Sequence, residues 1–147
     1  MSRSDPAPPT QAAGVAVFRS DGALLLGRHT HDDRWATFGG AVEPGEDAVR
    51  AATRELREET GLVVTDVEEL GSFGGSDAYT VLYRDGSTEA YEVTMFATII
   101  DDSRWQPDGA EIAEIAWFSS AEMPMIDLAP DMVDIVPAAF AWFEETT

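Results

Sequence analysis

A chain of 147 residues carrying 28 acidic and nine basic side chains has a formal charge of −19, a field that repels nucleic-acid polymers and anionic membrane surfaces. Cysteine is absent, which excludes disulfides, thiolate metal sites and cysteine nucleophiles and fits a reducing, cytoplasmic setting. The length suits one domain, and the longest apolar stretches, Ala23 to Leu26 and Ala97 to Ile100, fall far below the roughly 18 residues that suggest a membrane span.

Met1 to Thr10 is polar and proline-rich without an apolar h-region, so it reads as a disordered tail rather than a signal peptide, ahead of one domain over residues 11–147. Gln11 to Arg19 and Ala23 to His29 form a predicted hairpin across Ser20-Asp21-Gly22. His29 to Arg34 is polar and loops out, and Trp35 to Phe38 is a short strand leading into Gly39-Gly40. Pro44-Gly45 starts a helix over about Glu46 to Thr60, with Val49, Ala52 and Leu56 on one packing stripe and Gly61 as a left-handed C-cap. Leu62 to Phe73 reads as a strand, and Ala78 to Arg84 with Tyr91 to Ile100 as a second hairpin across Asp85-Gly86-Ser87. The imperfect alternation from Tyr91 to Ala97 fits a strand buried on both faces. Ala113 to Ser119 is a further strand, Ser119 to Glu122 a helix start, and Ala129 to Glu144 a terminal helix that Pro137 should kink or split.

The densest chemistry lies at the end of the first helix. At roughly 100° per residue, Glu59 stands about 40° to one side of Glu55 and Glu58 about 60° to the other, so three carboxylates share a face. Like charges at this spacing repel, which argues for a cation among them, and hard oxygen ligands select Mg²⁺ or Mn²⁺. The bland alternative is a solvated acidic helix end.

The segment also resembles the signature of the Nudix hydrolase family, a glycine, a glutamate, then Arg-Glu, an apolar residue, Glu-Glu and a Gly-apolar pair at fixed spacing. Gly40, Glu46, Arg54, Glu55, Leu56, Glu58, Glu59, Gly61 and Leu62 fill every specified position. One departure lies upstream, where relatives often carry Trp-x-x-Pro-Gly-Gly and this chain has Thr37-Phe38-Gly39-Gly40 after Trp35-Ala36. The resemblance implies an α/β/α sandwich with a mixed β-sheet between helices, and Mg²⁺-dependent cleavage of the diphosphate linkage of a nucleoside diphosphate derivative by water attack on phosphorus. It implies that Glu58 and Glu59 are metal ligands, that Glu55 is a ligand or the base that deprotonates water, and that Gly39 or Gly40 donates a carbonyl oxygen. Arg54 would orient the carboxylates by charge-assisted hydrogen bonds. Glu46, on the opposite side of an extrapolated helix, suits capping the loop better than ligation.

A fourth acidic ligand is common in the family, with Glu111 the first candidate and Glu114 and Glu92 behind it. Arg28 and His29 are candidate phosphate contacts, although a solvated strand end is the more ordinary account of both. Trp35, Phe73, Tyr79 and Tyr83 are candidate base-stacking residues, with core packing as the ordinary use. Tyr79 falls near where the family's diadenosine polyphosphate hydrolases tend to carry tyrosine, and no proline marks an ADP-ribose hydrolase. Nucleoside triphosphates, dinucleoside polyphosphates, ADP-ribose and nucleotide sugars all stay open, with substrate choice assigned to Ser72 to Tyr79 and Asp101 to Gly109. A non-catalytic nucleotide sensor on the same fold is the competing reading, and isomerase chemistry ranks last for want of a cysteine. Met123, Met125, Met132 and Phe140 are candidates for a homodimer contact, with core packing as the alternative.

Overall fold

A strand buried on both faces organises the molecule, whose computed structural model describes residues 9–74, 79–82, 86, 88–101 and 104–147. In β1 (Thr10–Phe18) the odd residues Ala13, Val15 and Val17 enter one apolar cluster, while Ala16 and Phe18 enter another. Successive side chains of a strand point to opposite faces, so this parity divides the core into two layers. β2 (Leu24–His29) repeats the division, sending Leu25 one way and Leu24 and Leu26 the other. β7 (Thr88–Ile99) is the doubly buried strand that its broken alternation predicts, with Phe96 in the first layer and Met95 and Ala97 in the second.

β7 runs parallel to β1, and β4 (Phe38–Ala41) lies antiparallel on the other side of β1. β5 (Glu68–Gly74) and β6 (Thr80–Leu82) pair antiparallel with β7. The predicted first hairpin pairs at its mouth, Phe18 opposite Leu24, after which β2 leaves β1 to pair with β3 (Trp35–Ala36) and β8 (Ile112–Phe118). Trp35 to Phe38 is therefore two strands with a break at Thr37. The predicted strand from Leu62 begins only at Glu68, because residues 62–67 run as irregular chain off the helix end. Residues 1–8, Tyr83 and most of the Asp85-Gly86-Ser87 turn lie outside the described residues.

Helix α1 (Ala48–Thr60) covers the first layer with Ala51, Ala52 and Leu56, all 0% exposed. It starts two residues later than Pro44-Gly45 suggests. Gly45 takes a left-handed φ of 79°, which makes a turn there, and the Asp47 carboxylate caps the helix by accepting the Arg50 N–H at 2.9 Å. Val49, expected on the packing stripe, is 38% exposed because the buried stripe is centred on the two alanines. Gly61 ends α1 at φ 81°, donating its N–H to the Arg57 carbonyl at 2.8 Å.

Helix α2 (Met132–Thr146) covers the second layer, after a 3₁₀ turn over Ser120–Met125. Phe18 is enclosed by Phe140 and Phe143, with ring centroids 5.4 and 5.0 Å away. Pro137 does not split the helix; the carbonyl it leaves without a partner is that of Val133, a residue 68% exposed, which water can satisfy. Met132 is buried and Met123 and Phe140 pack against the same layer, so of the four candidate dimer residues only Met125, 86% exposed, faces solvent. No helix among the described residues is long and apolar enough to cross a membrane.

Candidate active site

Gly39 and Gly40 sit on the edge strand β4, opposite Gly14 and Ala13 of β1. A Cβ on Gly39 would stand 2.6 Å from the Ala13 carbonyl oxygen, and one on Gly40 would stand 2.5 Å from the carboxyl carbon of Glu55. Both distances lie inside van der Waals contact, so Gly39 is glycine because the β1 backbone lies against it, and Gly40 because the Glu55 carboxylate of α1 does.

Glu59 lies deepest. It is 2% exposed; one carboxylate oxygen accepts the Gly39 N–H at 2.9 Å, and the other, Oε2, is buried with no hydrogen-bond partner among the described residues. Burial, reinforced by the Glu55 charge and then by Glu111 and Asp108, pushes its pKa up to about 9. Glu55 is half-buried and its pKa is raised, first by desolvation and in part by Glu58 and Glu111, against the pull of Arg54. The Glu58 side chain is 52% exposed and pairs with Arg54 at 3.2 Å. The three glutamates thus share one face but differ in depth, and among the described residues no three carboxylate or imidazole groups form a ready-made metal cage.

Arg54 is the cation that stands among these carboxylates. Its guanidinium binds Glu46 through two nitrogens at 2.8 and 3.0 Å, donates to Glu55 at 3.1 Å and to the Ala41 carbonyl at 3.1 Å. A fork held this way fixes both plane and position, which an ammonium would not. The hydrogen bonds to Glu46 raise the Arg54 pKa, and the same bonds hold Glu46 below the usual carboxylate range. Glu46 also accepts the Glu43 N–H at 3.1 Å. The loop-fastening role expected for Glu46 is present, but the helix cap is Asp47, and the larger duty of Glu46 is to seat Arg54.

Of the three further acidic candidates, Glu111 is exposed and its charge acts on both Glu55 and Glu59. It is positioned by Asp108, whose carboxylate accepts the N–H groups of Ala110, Glu111 and Ile112 at 2.9 to 3.0 Å, in a loop tied to the end of α1 by Gln106 N–H to the Thr60 carbonyl at 2.8 Å. Glu114 pairs instead with Arg28 at 3.5 Å, and Glu92 lies on β7 between Gln11 of β1 and Gly74 of β5. Arg28 is taken up by Asp33 at 2.6 Å as well.

On the other side of β4, a cleft of about 540 Å³ opens between the sheet and the start of α2. Gly39 and Gly40 form part of its wall, so one strand edge borders both the cleft and the carboxylates. Tyr79, Tyr91, Val93 and Met95 line the apolar part, and Asp131 and Met132 close it from α2. Of the aromatic candidates Tyr79 reaches this space, whereas Trp35 packs edge-on to Phe118 with centroids 4.9 Å apart and Phe73 packs in the second layer. Sequence reasoning missed Tyr91, His31, Arg34 and Asp131 as wall residues; the polar character of His29 to Arg34 was the one available signal.

The sequence matches the NUDIX domain family over residues 8–139. It is 32% identical over 120 residues to the nucleoside triphosphatase NudI of Escherichia coli (strain K12 / DH10B), covering 76% of this chain and 84% of that protein. The NudI of Enterobacter sp. (strain 638) is 31% identical over the same shares. In structure it resembles the NUDIX domain of Shewanella oneidensis NrtR complexed with ADP ribose, with a TM-score of 0.75 at 17% identity over 98% of this chain and 94% of that one. The MutT protein of Methanosarcina mazei Go1 superposes with a TM-score of 0.75 at 19% identity, covering 97% and 98% of the two chains. The α/β/α sandwich, the filled signature and these likenesses agree: the chain belongs to the Nudix family of pyrophosphohydrolases.

Proposed function

We propose that this chain is a Mg²⁺- or Mn²⁺-dependent hydrolase that cleaves the diphosphate linkage of a nucleoside diphosphate derivative, nucleoside triphosphates first among them. The observation that carries this reading is the Glu59 carboxylate, 2% exposed with one oxygen unpartnered among the described residues. A buried polar atom without a partner is costly, and here a proton or a cation must satisfy it. The neighbouring donors are hard oxygens, which fit a divalent ion of the Mg²⁺ class. Glu55, Glu58 and Glu59 would hold it, with Glu111 as the further acidic contributor and the Gly39–Gly40 backbone beside them.

Such an ion supplies neutralisation of the nonbridging phosphate oxygens and lowers the pKa of water. The chain supplies the rest. Arg54, braced by Glu46, fixes Glu55 and Glu58 and offsets their mutual repulsion. Glu55, its proton affinity raised by burial, serves as a ligand or takes the proton of the attacking water on a carboxylate oxygen. The apolar walls at Tyr79 and Tyr91 suit a nucleoside, whose phosphates then cross the Gly39–Gly40 edge toward α1. The kinship with nucleoside triphosphatases favours triphosphates as the class to test first.

The test pairs calorimetric titration of metal-free protein with a nucleotide product screen. Wild type should take up Mg²⁺ or Mn²⁺ and turn over at least one nucleotide, and Glu59→Gln should fold while losing both. Tight nucleotide binding with no turnover of any diphosphate would establish the sensor reading instead, which no observation now favours.

A further inference from the structure

In a chain of charge −19, the basic side chains on the cleft wall all come from one short turn. His29 ends β2, His31 and Arg34 belong to the β2–β3 connection, and among the described residues no other arginine lines the space. The turn is built to hold them. Asp33 takes a left-handed backbone, φ 61°, unusual for a residue with a side chain. Its N–H donates to the His29 carbonyl at 2.9 Å, the His29 N–H donates to the Arg34 carbonyl at 2.9 Å, and the Asp32 carboxylate accepts the Arg34 N–H at 3.0 Å. Thr30 moors the turn to the segment before β8, its hydroxyl donating to the Ala110 carbonyl at 2.7 Å and its N–H to that of Glu111 at 2.9 Å.

The side chains differ in what occupies them. His29 is half-buried and meets His31 edge to face, 5.5 Å between centroids; the His31 side chain is 73% exposed, with its Nε2 3.4 Å from the carboxylate of Asp32, which also lines the cleft. Arg34 approaches Asp127 only to 3.8 Å, beyond hydrogen-bond range, so its forked donors are not consumed there. Arg28, in β2, pairs with Asp33 at 2.6 Å and with Glu114 at 3.5 Å and does not line the cleft. Thr30 ties the turn to the loop that carries Asp108 and Glu111, and that loop is itself bonded to the end of α1 by Gln106 N–H to the Thr60 carbonyl at 2.8 Å.

We propose that His31 and Arg34, backed by His29, receive the distal phosphates of a polyphosphorylated nucleotide, and that this turn sets a preference for a nucleoside triphosphate over its diphosphate. The inference rests on the hydrolase reading above. A planar guanidinium matches a terminal phosphoryl group through two parallel hydrogen bonds, and imidazole N–H groups add donors without bulk. A longer phosphate chain brings more charge to the turn, so losing these donors weakens the triphosphate more than the diphosphate.

The experiment compares Arg34→Ala and His31→Ala with wild type on the triphosphate and diphosphate of one nucleoside, with KM, kcat and the Kd of a nonhydrolysable triphosphate analogue as readouts. KM and Kd for the triphosphate should rise about tenfold or more, as for loss of a charge-assisted hydrogen bond, with a smaller rise for the diphosphate and kcat within about twofold. Arg34→Lys should recover part of the loss, and Asp127→Asn, which removes the neighbouring carboxylate but keeps the cation, should leave KM at or below the wild-type value. Unchanged KM in both alanine variants, equal rises for both nucleotides, or a rise reproduced by Asp127→Asn overturns the proposal. If Arg34→Ala does not fold, Arg34→Lys and His31→Ala decide. If wild type cleaves no nucleotide, the hydrolase reading fails, and the analogue Kd alone decides whether the turn receives phosphate.

Discussion

Replacing Glu59 with glutamine should change how stability depends on pH, in the metal-free protein, by an amount fixed by burial. The Glu59 carboxyl has a pKa of about 9 in the folded chain against an ordinary 4.5. Between those values the native state keeps the proton and the unfolded state has lost it, so unfolding becomes easier as pH rises and the effect levels off above the folded value. The slope is about −1.4 kcal/mol per pH unit, or close to 2.7 kcal/mol between pH 6 and pH 8. Glutamine is isosteric with the protonated acid and does not titrate. Repulsion among the other acidic groups is common to both proteins and cancels in their difference. Urea unfolding in chelator at pH 6, 7 and 8 should therefore show the variant gaining on wild type by about 1.4 kcal/mol per unit. Saturating Mg²⁺ should then stabilise wild type, by about 2.7 kcal/mol at a hundredfold excess over Kd, and leave the variant unmoved. Parallel pH profiles in chelator would refute the claim that the Glu59 carboxyl is held out of water with one oxygen unpartnered.

Three further outcomes follow from the same geometry. Gly40→Ala puts a methyl 2.5 Å from the Glu55 carboxyl carbon, so Glu55 must swing away; kcat should drop about 100-fold with a thermal midpoint near wild type, measured by turnover and calorimetric melting. Arg54→Lys loses the two-nitrogen grip on Glu46 and should lower metal affinity or activity by about 10- to 100-fold, read by metal titration, with circular dichroism unchanged. Leu56→Ala, at a position 0% exposed in the α1 layer, should cost about 2–5 kcal/mol in urea unfolding whatever its effect on turnover.

The signature segment was legible because its logic is local. Helical periodicity alone puts Glu55, Glu58 and Glu59 on one face, and Gly61 ends the helix where a left-handed residue is needed. What periodicity does not carry is depth, and Glu59 is buried while Glu58 is open because β4 and the loop holding Asp108 cover one side of that face. Both covers come from distant sequence. The division of labour between Glu46 and Asp47 was hidden for a similar reason, since it depends on the turn at Gly45 and on a guanidinium about two helix turns away. Val49 was misassigned because small alanines, with weak hydrophobic weight, carry the packing in α1. The cleft wall assembles from β1, β4, β7, α2 and the β2–β3 turn, and no stretch of sequence contains it.

The alternate residues of β1 lead to separate consequences for change over evolutionary time. Side chains such as Val15 and Val17 support the acidic helix, whereas Ala16 and Phe18 support the helix beside the cleft. Mutations in the latter layer, at Met95 or Met132 for example, can reshape what the cleft admits while the glutamates of α1 keep their footing on the opposite side. A scaffold partitioned in this way lets specificity drift without reinventing the chemistry.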